Sequence, residues 1–164
     1  MLEVIWGLKT IAIFDVWTFE HLLSGLSVGS AVHKKNHKEM RKFFRTIGTV
    51  IRTGEYRKLK KLLKREKHHS LHFDIMGVLC LAFAWETIEH YLEQGLLGER
   101  VMYWFQGTEF WANRIISDPL MLVLGYLIAK RYPRLVVPAR ILSFVWLIFH
   151  IFIDPHSMWL HEIL

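Results

Sequence analysis

Four segments rich in apolar residues occur along the chain, separated by charged stretches or by stretches that contain glycine and proline. They cover approximately residues 5–32, 71–93, 109–129 and 136–153. Each is close to the length of about 20 residues that a helix needs to cross the hydrocarbon core of a membrane. The pattern therefore predicts an all-α fold, an integral membrane bundle of four transmembrane helices. By length, residues 1–164 form a single domain.

The connection between the first two segments, residues 34–69, is strongly basic. Fourteen of the 21 Lys and Arg residues lie between Lys34 and Lys67, beside three acidic residues, and the rest of the chain has seven basic and twelve acidic residues. Apolar side chains recur at helical spacing among these cations. This pattern predicts a basic amphipathic helical segment on the cytoplasmic membrane surface, with anionic lipid as its partner. Nucleic acid is the less favoured polyanion, since membrane spans flank the segment.

The charge pattern also predicts a topology. The second basic connection, Lys130 to Arg134, falls on the same side as residues 34–69 if there are four spans. The positive-inside rule makes that side cytoplasmic, so both termini lie outside. We expect an integral protein of a bacterial inner membrane. Homo-oligomerisation is also expected if the protein is a carrier, because four spans are few.

The second apolar segment carries a polar stripe, which is the most informative feature of the sequence. Glu86, Glu89, His90 and Glu93 are spaced i, i+3, i+4 and i+7, so all four share one face of a helix. Ionisable side chains inside a membrane span are costly, and they usually mark a functional site. Glu93, the nearest to the aqueous edge, is expected to be the most solvated of the four.

Polar residues in the other segments fall at similar depths when the predicted topology is applied. Asn113, Arg114 and Asp118 lie in the outer half of the third segment, and His150 and Asp154 lie at the outer end of the fourth. The first segment places its polar group deeper, from the middle of the membrane inwards. That group is Asp15, Glu20 and His21.

The first segment also contains Gly25 and Gly29, four residues apart. This small-xxx-small pattern predicts close approach of another helix. His21 shares the same ridge and is therefore expected to face protein.

Imidazole and carboxylate side chains from facing helices form a ligand set for Zn, Mn or Fe. The predicted metal ligands are His21, Glu86, Glu89, His90, Asp118, His150 and Asp154. Among the same groups we expect catalytic roles for Glu89 and Asp118, one carboxylate acting as general base. Arg114 is expected to hold a phosphate or carboxylate of the substrate. No other cofactor is predicted.

A purely structural interpretation of these residues is also open. Arg114 could pair with a glutamate, and His–Asp hydrogen bonds could orient the helices. The ligand spacing matches no His-Glu-x-x-His motif, and the single cysteine, Cys80, excludes a multi-cysteine zinc site. No serine lies in a nucleophile-elbow motif.

Three short stretches resemble motifs of small polytopic bacterial membrane proteins, the YjdF-like and VanZ-like families. The stretches are Asp15 to His21 and Gly25; Trp85-Glu86, Glu89 and Gly95; and Gln106-Gly107, Trp111, Asp118 and Gly125. The first span is also similar, at His21-Leu22-Leu23-Ser24-Gly25, to membrane-bound metal-dependent hydrolase-like proteins. The resemblance implies a small inner-membrane protein with several spans, and it implies no particular reaction.

Three functions fit the sequence. The first is a membrane-embedded, metal-dependent enzyme that acts on a lipid or lipid-linked substrate from an outward-facing site. The second is an ion-coupled transporter whose carboxylates bind protons or cations. The third is a non-catalytic membrane adaptor in which the buried acids are structural and the basic segment binds lipid or an acidic partner.

Overall fold

The computed structural model describes residues 2–50, 56–105 and 107–153. This part of the chain is helical and contains no β-strand, as the apolar pattern predicts. The helices are α1 (Leu2–Ile5), α2 (Val16–Val50), α3 (Tyr56–Glu93), α4 (Glu99–Phe105), α5 (Asp118–Arg131) and α6 (Val136–Ile148). A π-helical turn, Asn113–Ser117, leads into α5, and a second one, Phe149–Ile153, extends α6.

The first apolar segment is not one helix from residue 5 onwards, so its predicted start was wrong. Residues 6–15 form a loop, and α2 begins at Val16. Asp15 caps the helix: its Oδ1 accepts a hydrogen bond from the Thr18 amide at 3.0 Å, and the Thr18 hydroxyl accepts one from the Asp15 amide at 3.0 Å. These reciprocal bonds satisfy donors that a helix start leaves unpaired, which fixes the boundary here.

The later start moves His21 to the second turn of α2. The prediction that Asp15, Glu20 and His21 lie deeper than the other polar groups was therefore wrong. In the structure Asp15 and His21 lie level with the polar residues around the start of α5.

Replacing Asp15 with alanine removes the cap of α2 and leaves the buried Asn113 amide without the Asp15 oxygen that accepts its hydrogen bond at 3.1 Å. We expect Asp15→Ala to lower the free energy of unfolding by about 2 kcal/mol, the upper end for loss of a cap. Thermal unfolding of purified protein in detergent measures the change. Glu99→Ala, an exposed acid in the first turn of α4, is the control and should change stability less. Equal effects of both substitutions would contradict the assigned capping role.

The packing of α2 against α5 organises the fold. A Cβ atom added to Gly25 would lie 2.1 Å from the Leu122 carbonyl oxygen, and one added to Gly125 would lie 2.2 Å from the Leu22 carbonyl oxygen. The two helices therefore touch backbone to backbone at these glycines. The small-xxx-small prediction is confirmed, and the partner helix is α5 of the same chain.

The remaining helices pack around this pair. α3 lies against both α2 and α5, and α6 lies against α2. α3 ends at Glu93, where Gly95 and Gly98 adopt positive φ angles of 86° and 92° that favour glycine. The predicted end of the second segment is confirmed.

Two helical segments of the described chain are long and apolar enough to cross a membrane, Leu71–Glu93 and Pro133–Ile153. They coincide with the second and fourth predicted spans. Residues 5–32 and 109–129 are not among them, and residues 6–15 of the first segment form a loop. The bundle of four membrane spans is thus not confirmed by length and composition.

The basic segment is helical where the structure describes it, but it is not a separate element at the membrane surface. Residues 34–50 continue α2, and residues 56–69 belong to α3. The predicted loop of residues 34–69 is therefore mostly the ends of two long helices. Residues 51–55 lie outside the described part of the chain.

Candidate metal centre

The start of α5 turns three polar side chains into the interior. Asn113, Ser117 and Asp118 are all at most 1% exposed. The Asp118 amide donates to the Asn113 carbonyl, the i→i−5 bond of a π-helix, and Pro119 follows without an amide donor of its own. The wider π-helical turn places Asn113 on the same side of the helix as Ser117 and Asp118, four and five residues later. In a regular α-helix, residues five apart point in more different directions.

The stripe on α3 faces this turn. Glu86 and Glu93 are buried, and Glu89 and His90 are half-buried. Glu93, expected to be the most solvated, is 3% exposed. That expectation was wrong because the N-terminal loop covers the end of α3 and places Lys9 against this carboxylate.

Two cations neutralise one part of the acidic cluster. Lys9 Nζ lies 2.5 Å from Glu93 Oε1 and 3.6 Å from Glu89 Oε1. Arg114 Nη2 lies 2.5 Å from Glu93 Oε2, and Arg114 Nε lies 3.3 Å from Glu109 Oε2. Burial alone would lower the pKa of Lys9, but the charges of Glu89 and Glu93 raise it above its ordinary value, so Lys9 is a cation here.

His21, Glu86 and Asp118 form a second group, on three different helices. His21 Nε2 lies 3.2 Å from Asp118 Oδ2, and His21 Nδ1 lies 3.6 Å from Glu86 Oε1. One ligand atom from each residue lies within 4.8 Å of the others. Ligands about 2.1 Å from a tetrahedral metal lie about 3.4 Å apart, and a single ion would use either Nδ1 or Nε2 of His21 together with the two carboxylates.

The carboxylates of this second group lack well-directed hydrogen bonds. Glu86 is 2% exposed and Asp118 is fully buried, and none of their four oxygens accepts a well-directed hydrogen bond from the described residues, although His21 Nε2 and the Glu109 carboxyl group face Asp118. The nearest cation to Glu86, Arg114 Nε, is 3.8 Å away. Buried carboxylates without partners carry a large desolvation cost. A bound cation would supply the missing partner for all of these oxygens.

A cluster of Glu89, Glu93 and Glu109 also meets the distance requirement for a metal. Lys9 and Arg114 already form ion pairs with the carboxylates of that cluster and balance their negative charge. The His21–Glu86–Asp118 group, which we call the triad, is therefore the better candidate for a metal centre. Glu89 borders it as an acid paired with Lys9.

Two of the other predicted ligands, His90 and His150, lie apart from the triad. His90 Nδ1 is 3.1 Å from Arg114 Nη1. The His150 ring packs edge-on against Trp17, with centroids 4.4 Å apart, and its Nε2 lies 3.0 Å from the Trp104 carbonyl oxygen. Asp154 lies outside the described residues. Of the predicted set, the structure brings His21, Glu86 and Asp118 together.

Lys9 and Glu109 are the site residues that the sequence analysis missed. Lys9 is 2% exposed although it lies in a loop, and Glu109 is 5% exposed. The Phe110 amide donates to the Lys9 carbonyl at 2.8 Å, which ties the loop to the start of the helix at residues 111–131. The sequence feature that could have identified Lys9 as a site residue is a single lysine within an apolar segment, since a buried ammonium group needs a carboxylate partner.

A cavity of about 420 Å³ adjoins the site and has His21, Lys9 and Glu89 in its wall. Of the triad, His21 lies in the wall of this cavity, and Glu86 and Asp118 do not line it. Arg114 does not line the cavity either. Its guanidinium instead contacts Glu93, Glu109 and His90, which agrees with the structural interpretation of an Arg–Glu pair.

Fold and site together define an all-helical protein with a buried imidazole–carboxylate cluster between its helices. No family model, no curated protein and no solved structure matches the chain. The likeness to the YjdF-like and VanZ-like families therefore rests on short motifs alone. What the protein does must be argued from the site.

Proposed function

We propose that the protein is a membrane-embedded, metal-dependent hydrolase that acts on a lipid or lipid-linked substrate. One observation carries this proposal: the triad holds two buried carboxylates, beside an imidazole, whose oxygens accept no well-directed hydrogen bond from the described residues. A fully structural cluster would pair those oxygens with donors, as the structure does for Glu93 and Asp15. Zn, Mn and Fe are the metals that suit this ligand set.

The distribution of side chains supports a membrane location. Among described residues that are buried, thirteen are polar or charged and eleven are apolar. The exposed faces of α3, α5 and α6 are dominated by large apolar residues such as Phe73, Leu124 and Phe144. In water this arrangement would cost free energy, whereas lipid accepts an apolar surface around a polar interior.

In the proposed arrangement α2, α3, residues 111–131 and α6 each cross the bilayer, with the basic ends of α2 and α3 in the cytoplasm. The triad then lies in the outer half. Anionic lipid headgroups are the proposed partner of residues 34–67. A homo-oligomer would need a face other than the glycine ridge, because α5 already covers Gly25 and Gly29.

The triad, Glu89 and Lys9 have different roles in the proposed reaction. The triad would hold the ion, and a bound ion would supply Lewis-acid activation of water and of a substrate oxygen. Glu89, half-buried and in the cavity wall, is placed to accept a proton from the attacking water. Lys9 lines the cavity and is the cation available to an anionic substrate group, while Arg114 positions Glu93 and Glu109.

Metal removal tests the proposal. Purified protein in vesicles made from bacterial lipid extract is expected to release hydrolysis products that mass spectrometry detects. Treatment with a chelator should abolish the release, and added Zn²⁺ or Mn²⁺ should restore it. The variant Glu86→Gln, which keeps the side-chain volume but removes a charged ligand, should stay inactive after metal is added. Product release that chelation leaves unchanged would contradict a metal-dependent reaction.

Ion-coupled transport is less well supported by the described residues. Asp74 lies on α3 at the cytoplasmic end, where His33, Asn36 and Tyr126 contact its carboxylate. Val78 and Ala82 occupy the next two turns of the same face and pack with Leu122 and Tyr126 in an apolar cluster. This apolar layer separates Asp74 from Glu86, and a proton or cation path would have to cross it.

A further inference from the structure

The cavity beside the triad is elongated along two helices. On α2 its wall runs from Trp17 to Val28, and on α3 from Val78 to Glu89. Each stretch covers eleven residue steps, or about 16 Å at the helical rise of 1.5 Å per residue. The cavity is therefore a channel parallel to the helices, and its dimensions suit a chain-like ligand.

Polarity changes from one end of this channel to the other. Its polar lining residues gather at the end near the triad: Lys9, Glu20, His21, Glu89 and His150. The opposite end is formed by apolar side chains, Val28, Val78, Leu81 and Leu122, while Leu147 lies one turn before His150, nearer the polar end. A ligand that matches this lining has a polar head at the outer end and an apolar tail directed towards the middle of the membrane.

The channel lies between α3 and α6, the helices that contain the two apolar spans. α3 and α6 pack mainly on other helices, and the space between them is bridged at its outer end by Trp104 and Phe105 of α4. Several lining residues are also on the outer surface: Val28, Leu81, Trp85 and Leu147 are each 40–49% exposed. The channel thus opens sideways, towards the surroundings of the apolar faces of α3 and α6.

We propose that this channel binds one hydrocarbon chain of a membrane lipid, which enters sideways from the outer leaflet and places its polar linkage beside His21. The inference rests on the proposed membrane location and hydrolytic function, and it specifies the substrate class. The occupant is an amphiphile drawn from the bilayer. A water-soluble metabolite would find an apolar wall over most of the channel and no polar partner there.

Photo-crosslinking tests the assignment. The probe is phosphatidylglycerol with a diazirine in the middle of one acyl chain, placed in vesicles of phosphatidylethanolamine and phosphatidylglycerol that contain the full-length protein. Crosslinks mapped by mass spectrometry should concentrate on Val78 and Leu81 inside the channel. Unlabelled long-chain phosphatidylglycerol should compete for these sites, while a short-chain analogue with the same headgroup should compete poorly.

Filling the channel should remove this labelling. Leu147→Trp places an indole in the channel from α6, and we expect at least about a tenfold loss of crosslinking at Val78 and Leu81. Ile148→Trp is the matched control, since Ile148 is the next residue of the same helix, is 38% exposed and does not line the channel. Its crosslinking should equal that of the wild type. Leu81→Trp, on the opposite wall, should reduce labelling at Val78 in the same way as Leu147→Trp.

Metal content of the same samples separates this inference from the proposed function. Leu147→Trp with normal metal content is folded, so a loss of labelling then reports on the channel. Specific labelling in a wild-type protein that holds no metal would support the channel and contradict the hydrolase. Labelling spread evenly over exposed apolar residues, or equal in wild type, Leu147→Trp and Ile148→Trp, would overturn the lipid channel whatever the metal content.

Discussion

His21→Ala is expected to abolish metal binding by the purified protein. His21 is the imidazole of the triad, and its loss leaves only the Glu86 and Asp118 carboxylates, which lie on different helices. Mutation of an outer-shell partner of a metal ligand already lowers the metal affinity by about 10–100-fold. Removal of a ligand itself should therefore lower the metal affinity by at least about 100-fold. Metal content by elemental analysis and titration with Zn²⁺ or Mn²⁺ measure the change. Hydrolytic activity should fall with it.

His90→Ala is the control for that experiment. His90 belongs to the predicted ligand set, but its ring contacts Arg114 and lies outside the triad. We expect this variant to retain metal. If His21→Ala and His90→Ala bind metal with the same affinity as the wild type, the triad is not the metal centre. If only His90→Ala loses metal, the ligands must be sought around Arg114.

Gly25→Ala should strongly destabilise the protein. The new Cβ would lie 2.1 Å from the Leu122 carbonyl oxygen and 2.8 Å from the Leu122 Cα, both backbone atoms. Only separation of α2 from α5 relieves this overlap, and the triad spans the same pair of helices. We expect a loss of at least about 3 kcal/mol in the free energy of unfolding, together with loss of metal binding.

Gly77→Ala provides the matched comparison on α3. Its Cβ would meet the Val32 Cγ1 atom at 2.8 Å, a side-chain methyl group that can rotate away. Alanine also favours a helix over glycine by roughly 0.5–1 kcal/mol, which offsets the contact. Denaturant or thermal unfolding in detergent should therefore find Gly77→Ala close to wild type. A Gly25→Ala protein as stable as Gly77→Ala would contradict the close crossing of α2 and α5.

The fold class and several local features could be predicted because they depend on residues near one another in sequence. Apolar segments of helical length gave the helical class, and the i, i+3, i+4, i+7 spacing gave the stripe that contains Glu86. Glycines placed the end of α3 after Glu93 and the contact face at Gly25.

Other features depend on contacts that sequence spacing does not reveal. The start of α2 depends on the capping bonds of Asp15, which apolar periodicity does not record. The burial of Glu93 depends on Lys9, 84 residues away in sequence. The π-helical turn shifts side chains by one position, so the faces of an ideal helix did not predict the joint burial of Asn113 and Asp118.

The separation of predicted ligands from the triad has a similar cause. Depth in the membrane, inferred from topology, placed His150 level with Asp118, but it could not specify distance across the bundle. His150 packs on Trp17 at one side of the channel, while His21 lies at the other side near α5. Charge compensation separates the remaining acids, since Lys9 and Arg114 pair closely with Glu93 and Glu109, while the nearest Arg114 atom lies 3.8 Å from Glu86.

X-ray absorption spectroscopy of wild-type protein, purified without chelators and reconstituted with Zn²⁺, tests the metal centre most directly. The account predicts one ion per chain, coordinated by nitrogen and oxygen only, with the scattering signature of a single imidazole that disappears in His21→Ala. A protein that takes up no ion, or one whose ion keeps the same imidazole signature in His21→Ala, would contradict it.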